Sequence, residues 1–298
     1  GPNATASHQH SIAIGRNATA KWTNTISIGK DTVASKDHAL AMATSATALG
    51  VQSVGIGSYS NASANSAVAL GQEAKAGGEV PAGAETGPGT AAVAVGYKAN
   101  ASAANTVATG MSSKASVDNA AAFGVQSNAS ARAAAALGGY AAASAERATA
   151  VGAASKATGT ASFAGGTSAN AAGVSSVAVG GSMTAAEAAQ AVGNNSIAVG
   201  FKSSASQTAD IAVGYNAKAN GTSTGSDGDG VVNNAGSAMA IGTDSQATGI
   251  VATAIGQRSQ ALANGAVALG GDAQAKQGSD VAIGRGSVAD GISASAFG

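Results

Sequence analysis

Three histidines, His8, His10 and His38, and no cysteine stand in a chain of 298 residues, so few side chains here are able to act as a base, a nucleophile or a soft metal ligand. His8 and His10 lie two apart near the start, where such a pair reads as a solvated tail. His38 follows Asp37, yet no Ser or carboxylate can be placed with it as a triad. The run Asp227-Gly228-Asp229-Gly230 offers carboxylates to a hard cation, but an EF-hand loop needs more oxygens at set spacings and a closing Glu, and neither follows. No catalytic, cofactor-binding or metal-binding residue is assigned. The chain is not read as an enzyme.

The remaining polar features are recognition chemistry at most. Lys75, Lys98, Lys114, Lys156, Lys202 and Lys218 recur at matching places and would face acidic glycans if they formed a ladder; a solvated surface is the plainer reading. Trp22, the sole tryptophan, reads as a plug for the N-terminal end or as an exposed ligand contact, with the plug preferred. Asn-x-Ser/Thr triplets at Asn17, Asn61, Asn100 and Asn128 are produced by the repeat itself and carry no weight as glycosylation sites.

What must position these residues is a fourteen-residue beat. Glycines stand at 15, 29, 57 and 71, at 96, 110, 124, 138, 152, 166 and 180, at 200 and 214, and at 242, 256, 270, 284 and 298, with Ala43 in the one empty slot. Each closes a phrase such as Ser11-Ile12-Ala13-Ile14-Gly15 or Asp280-Val281-Ala282-Ile283-Gly284. A fixed period of this kind signals a solenoid, whose units bury their surface only by stacking on one another.

Counting from each glycine, positions minus 3 and minus 1 are mostly aliphatic, as in Val68 and Leu70, while plus 3 and plus 5 are small, as in Ala74 and Ala76. All four share one parity, so two strands joined by a tight bend are expected to turn them inward. Position minus 2 is then outward on the first strand, and it is Ala in seventeen of nineteen turns, Ser27 and Gly55 being the exceptions. A wet surface has no reason to refuse charge so uniformly. On this reading Ala13, Ala41, Ala69, Ala94, Ala108, Ala178, Ala198, Ala212, Ala240, Ala268 and Ala282 press against partner chains, and the protein is an obligate oligomer.

Composition agrees with a thin core: 3% aromatic, 10% charged and 43 glycines. Fifteen basic residues balance fifteen acidic ones, so no field favours nucleic acid or an anionic membrane. No apolar stretch approaches the roughly 18 to 20 residues that span a bilayer as a helix. Gly1-Pro2 reads as a cleavage scar, with residues 1–10 as tag remnant and leading residues, and the pattern breaks off at Gly298; an excised piece of a longer protein is expected.

The phrases Ser11-Ile12-Ala13-Ile14-Gly15, Ser66-Ala67-Val68-Ala69-Leu70-Gly71, Ser176-Val177-Ala178-Val179-Gly180 and Asn195-Ser196-Ile197-Ala198-Val199-Gly200, each followed by an Ala-x-Ala step, resemble the YadA-like head repeats of trimeric autotransporter adhesins. The resemblance implies an all-β fold, a left-handed parallel β-roll in each chain, a homotrimer about one axis, and display on the outer membrane of a Gram-negative bacterium. It implies host extracellular-matrix or cell-surface proteins as partners, no cofactor, and membrane contact only through a C-terminal anchor lying outside this chain. Handedness and the number three come from the family alone.

On this view residues 11–298 form a single head with inserts near 77–91, 181–194 and 220–236, where the beat breaks. Inserts in a solenoid emerge as loops; these either contact a ligand or lock subunits together, and the second is the plainer reading. The middle one carries Thr184-Ala185-Ala186-Glu187, a capping-box pattern that predicts a short helix. The function expected is attachment to host surfaces through a repetitive rod; the alternative is a structural spacer or a self-association module. An acyltransferase β-helix would need about eighteen residues per coil and a catalytic His, and an ice-binding solenoid would need a regular Thr ladder, so neither fits.

Overall fold

Glycine and alanine at fixed places in each repeat build one kind of coil. In the computed structural model, which describes residues 1–78, 90–222 and 236–298, the chain divides into two compact units, Gly1–Arg147 and Ala148–Gly298. Each unit is a parallel β-solenoid in which a three-residue strand, a corner, a two-residue strand and a second corner make one turn. In the first unit the long strands run from Ile12–Ile14 to Ala135–Leu137 and the short ones from Thr5–Ala6 to Ala142–Ala143. In the second they run from Thr149–Val151 to Ser295–Phe297 and from Lys156–Ala157 to Val288–Ala289.

Register follows the beat. Ile12, Ala13 and Ile14 face Ile26, Ser27 and Ile28, and Val267, Ala268 and Leu269 face Val281, Ala282 and Ile283. Thr5–Ala6 already pairs with Thr19–Ala20, so the ordered coil begins ahead of residue 11, inside the stretch that the sequence reading set apart as leading residues.

Where the beat breaks, the coils on either side pair directly. Val68–Leu70 lies beside Val93–Val95, Val177–Val179 beside Ile197–Val199, and Ile211–Val213 beside Met239–Ile241. The middle insert is narrower than 181–194, because Ala189 N donates to Gly180 O at 2.9 Å and Gln190–Ala191 is already the next short strand. Its expected helix is a single 3-10 turn, Ala185–Glu187, and the Thr184 side chain makes no capping bond. Glu187 instead reaches Lys202 Nζ at 3.0 Å. Most of the first and third inserts, with Pro81, Pro88, Asp227 and Asp229, lies outside the described residues.

The corners explain the coil's shape and overturn the expected facing of the first strand. Gly124 has φ +126° and Gln126 φ +54°; the same pair of left-handed residues recurs at Gly110 and Ser112 and at Gly256 and Arg258. Side chains alternate only along continuous extended backbone, and two residues of positive φ at a corner turn the chain without keeping count. Parity therefore does not carry across the bend. Minus 2 joins plus 3 and plus 5 on the inside, and minus 3 and minus 1 point out.

Ala41, Ala69, Ala94, Ala108, Ala178, Ala198, Ala212, Ala240, Ala268 and Ala282 are all 0% exposed within the single chain. Their methyl groups fill the coil and cannot touch a partner; Ala13, in the first full coil, is half-buried on the same side. A typical stretch of this core is the cluster Ala34, Ala39, Ala41, Ala46 and Ala48, in which Ala34 and Ala48 stack in adjacent coils. Only side chains of about this size fit between strands so close, which is why Ser and Thr fill most of the other inward places. Their hydroxyls return to the backbone: Ser113 Oγ donates to Gly110 O at 2.9 Å and Thr106 Oγ1 to Ala103 O at 2.7 Å.

Candidate interaction surfaces

With the alanines inside, the long strands present two aliphatic rows to the exterior. In the first unit these are Ile12, Ile26, Leu40, Val54, Val68, Val93 and Val107 beside Ile14, Ile28, Met42, Ile56, Leu70 and Val95, all half-exposed or exposed. Ile14 reaches 56%. In the second unit Val177, Ile197, Ile211, Met239, Val267 and Val281 run beside Val179, Val199, Val213, Ile241, Leu269 and Ile283. A continuous apolar sheet face of this kind, present in each unit, is a candidate contact surface. The residue signal that locates it was in the sequence, since these are the large branched side chains; the parity count sent them inward.

The short strands carry the polar face. Lys75, Lys114, Lys156 and Lys218 stand exposed there, Lys75 beside Asn100, Lys114 between Asn100 and Asn128, Lys156 beside Asn170 and Lys218 between Ser204 and Gln246 in neighbouring coils. Asn170 Nδ2 donates to Gln190 Oε1 at 2.9 Å. Lys98 and Lys202 do not belong to this ladder. They sit at the glycine corner, where Lys98 meets Glu73 at 3.6 Å and Lys202 meets Glu187. Each ammonium is held above its usual range, Lys98 by Tyr97 and Glu73 and Lys202 by Glu187.

Other corner residues pair with their counterparts one coil on. Arg258 donates through Nε and Nη2 to the two Asp272 oxygens at 2.6 and 3.0 Å, which lowers the carboxyl and raises the guanidinium. Asn17 Nδ2 donates to Asp31 Oδ1 at 2.7 Å, and that bond leads the causes holding Asp31 below the ordinary carboxylate value. Phe201 and Tyr215 stack with centroids 5.5 Å apart.

The opposite corner explains Trp22. It is 41% exposed and lies sideways between coils, stacked on His8 at 5.3 Å and covered by Lys36 Nζ at 5.2 Å. This is a lateral ladder, not the expected end plug. His38 Nε2 lies 3.3 Å from Asn24 Nδ2, and Asp37 Oδ1 accepts from Thr23 N at 3.1 Å, so the Asp-His neighbours turn to separate structural partners.

A family model described as the YadA head domain repeat (2 copies) matches residues 1–18, 48–74, 88–113, 143–169, 187–203, 191–217, 205–224, 234–250 and 249–273, together more than half of the chain. No curated protein is found to match it.

Proposed function

The chain belongs to the YadA head family, whose members are non-enzymatic heads of trimeric autotransporter adhesins, and from that premise we propose that three copies pack their long-strand faces about one axis to form an attachment module. The carrying observation is the pair of aliphatic rows left outside each coil, Val177 and Val179 being typical. A core made of alanine buries little area per residue, whereas ordering the backbone costs about 1–2 kcal/mol per residue. Covering a Val, Leu or Ile side chain contributes about 1.5–3 kcal/mol. Partner copies are the natural cover, because their rows repeat at the same spacing.

Each β-roll then winds left-handed, as in the family, and the head is displayed at a bacterial surface by an outer-membrane anchor beyond this chain. The short strands and corners face outward in such an assembly. Their lysines, asparagines and glutamines recur coil after coil, and multiplication by subunit symmetry turns weak contacts with host extracellular-matrix proteins into avidity.

Solid-phase binding to collagen, fibronectin and laminin tests this reading. Binding by the assembled head that falls with Lys75→Glu and Lys114→Glu is expected. Absence of binding to all three by a folded, assembled head, together with clumping of beads that carry it, would favour the self-association module instead.

A further inference from the structure

Faces built from identical layers have a register problem: sliding one copy along another by a single coil leaves all but one layer matched. Most long strands in this chain carry two branched residues, yet a few invert the pattern. In the first unit Ala121 stands beside Phe123 and Ala135 beside Leu137; in the second Phe163 stands beside Gly165. Phe123 is 41% and Phe163 37% exposed on the apolar face. The Phe163 ring lies over its own strand's glycine, with Cε1 2.8 Å and Cζ 3.2 Å from where a Gly165 Cβ would sit.

In each inverted layer a large side chain accompanies a missing or minimal one. The apolar volume is thus kept within the layer while its position moves. A face turned to water has no use for such compensation, since solvent adapts to any relief. A face pressed against another copy of itself needs it, because interiors tolerate neither voids nor overlap. Both neighbours of Phe163 along the sheet, Thr149 and Val177, are smaller, and Gly165 lies between Val151 and Val179. A copy displaced by one coil would therefore set a layer whose bulk is one ring spread from Phe163 over Gly165 against layers whose bulk is two separate branched side chains, Thr149 and Val151 or Val177 and Val179.

We propose that the Ala121/Phe123 layer in the first unit and the Phe163/Gly165 layer in the second are register keys, which fix the alignment of copies of this chain when they assemble through the long-strand face. This rests on the assembly proposed above.

The test refolds full chains carrying two different tags from denaturant and counts mixed assemblies by native mass spectrometry. Two tagged wild types should mix statistically. Wild type with a chain whose key is moved one coil, Phe163→Val and Gly165→Val with Val177→Phe and Val179→Gly, should give mixed species several-fold below the statistical share. Statistical mixing of the two would overturn the keys while leaving assembly intact; a monomeric wild type would overturn the assembly and the keys with it.

Should the moved-key chain not assemble, the levelled chain Phe163→Val and Gly165→Val, combined with Ala121→Val and Phe123→Val, keeps the proposal open to refutation. With a spin label on Lys218→Cys in a chain that has no other cysteine, its inter-copy distance distribution should broaden toward longer values, because copies then sit displaced along the axis by one or more strand spacings of about 4.8 Å. A single sharp distance equal to that of the labelled wild type would overturn the keys.

Discussion

Gly124 and Gly138 stack one coil apart so closely that a Cβ on Gly124 would lie 2.6 Å from the Gly138 carbonyl carbon. With φ at +126°, Gly124 also occupies backbone space that L-residues avoid. Gly124→Ala is therefore expected to cost about 2 kcal/mol or more, read as a fall in the chemical-denaturation midpoint. Gly139→Ala is the control, because its nearest neighbour would be 3.8 Å away and its φ is not positive. Equal effects at the two positions would contradict the stacking account.

Ala43 is the one non-glycine in that slot and is held at φ +94°. Relieving a strained backbone of this kind is worth about 1–3 kcal/mol, against about 0.4–1 kcal/mol for the added freedom of an unfolded glycine. Relief wins, so Ala43→Gly should raise the melting temperature. A lower one would show that the coil accommodates the alanine without strain.

Ala178 and Val179 are adjacent and face opposite ways: the first is fully buried, the second half-exposed on the apolar face. Ala178→Glu should unfold the coils around it, since an unpaired buried charge is among the costliest changes. Val179→Glu should leave the β-signal in circular dichroism and abolish self-association. If Val179→Glu assembled as well as wild type, the long-strand face would not be the interface.

The glycine beat and the Ala-x-Ala step made the solenoid legible before any coordinates, because a fixed period of fourteen has few other solutions. The facing of the first strand was not legible: the alanines expected on its outside, Ala178 among them, lie inside the coil. Alternation was counted through a bend where Gly110 and Ser112 both have positive φ, and a corner resets the count. Side-chain size was the sounder guide: the interior beside Ala115 and Ala129 has room for nothing much larger than Ala, Ser or Thr, which sends Val107 and Phe123 outside. Trp22 was misread for want of its vertical neighbours His8 and Lys36, which lie fourteen residues away on either side.

Asp280 is buried inside a coil where many other repeats have Ser, Thr or Ala. Burial alone would raise its carboxyl, but backbone N–H groups of Gln277, Ala294, Gly291 and Lys276 outweigh it and hold the carboxyl below the ordinary value. Gln277 N donates to Oδ2 at 2.8 Å and Ala294 N to Oδ1 at 2.9 Å. A depressed folded value stabilises above the unfolded one, and that contribution is lost as pH falls through the folded value. Asp280→Asn should thus melt earlier than wild type at neutral pH, with the gap narrowing as pH falls below the ordinary Asp value of about 3.9. A gap that does not change with pH would mean that the carboxylate charge is not what the backbone donors stabilise.

Light scattering coupled to size exclusion on the intact chain tests the covered-face claim most directly. A single species at three times the chain mass of 27.6 kDa is the predicted result. A stable, folded monomer at 27.6 kDa would contradict it, since the rows from Ile12 to Val107 would then stand in water with nothing to cover them.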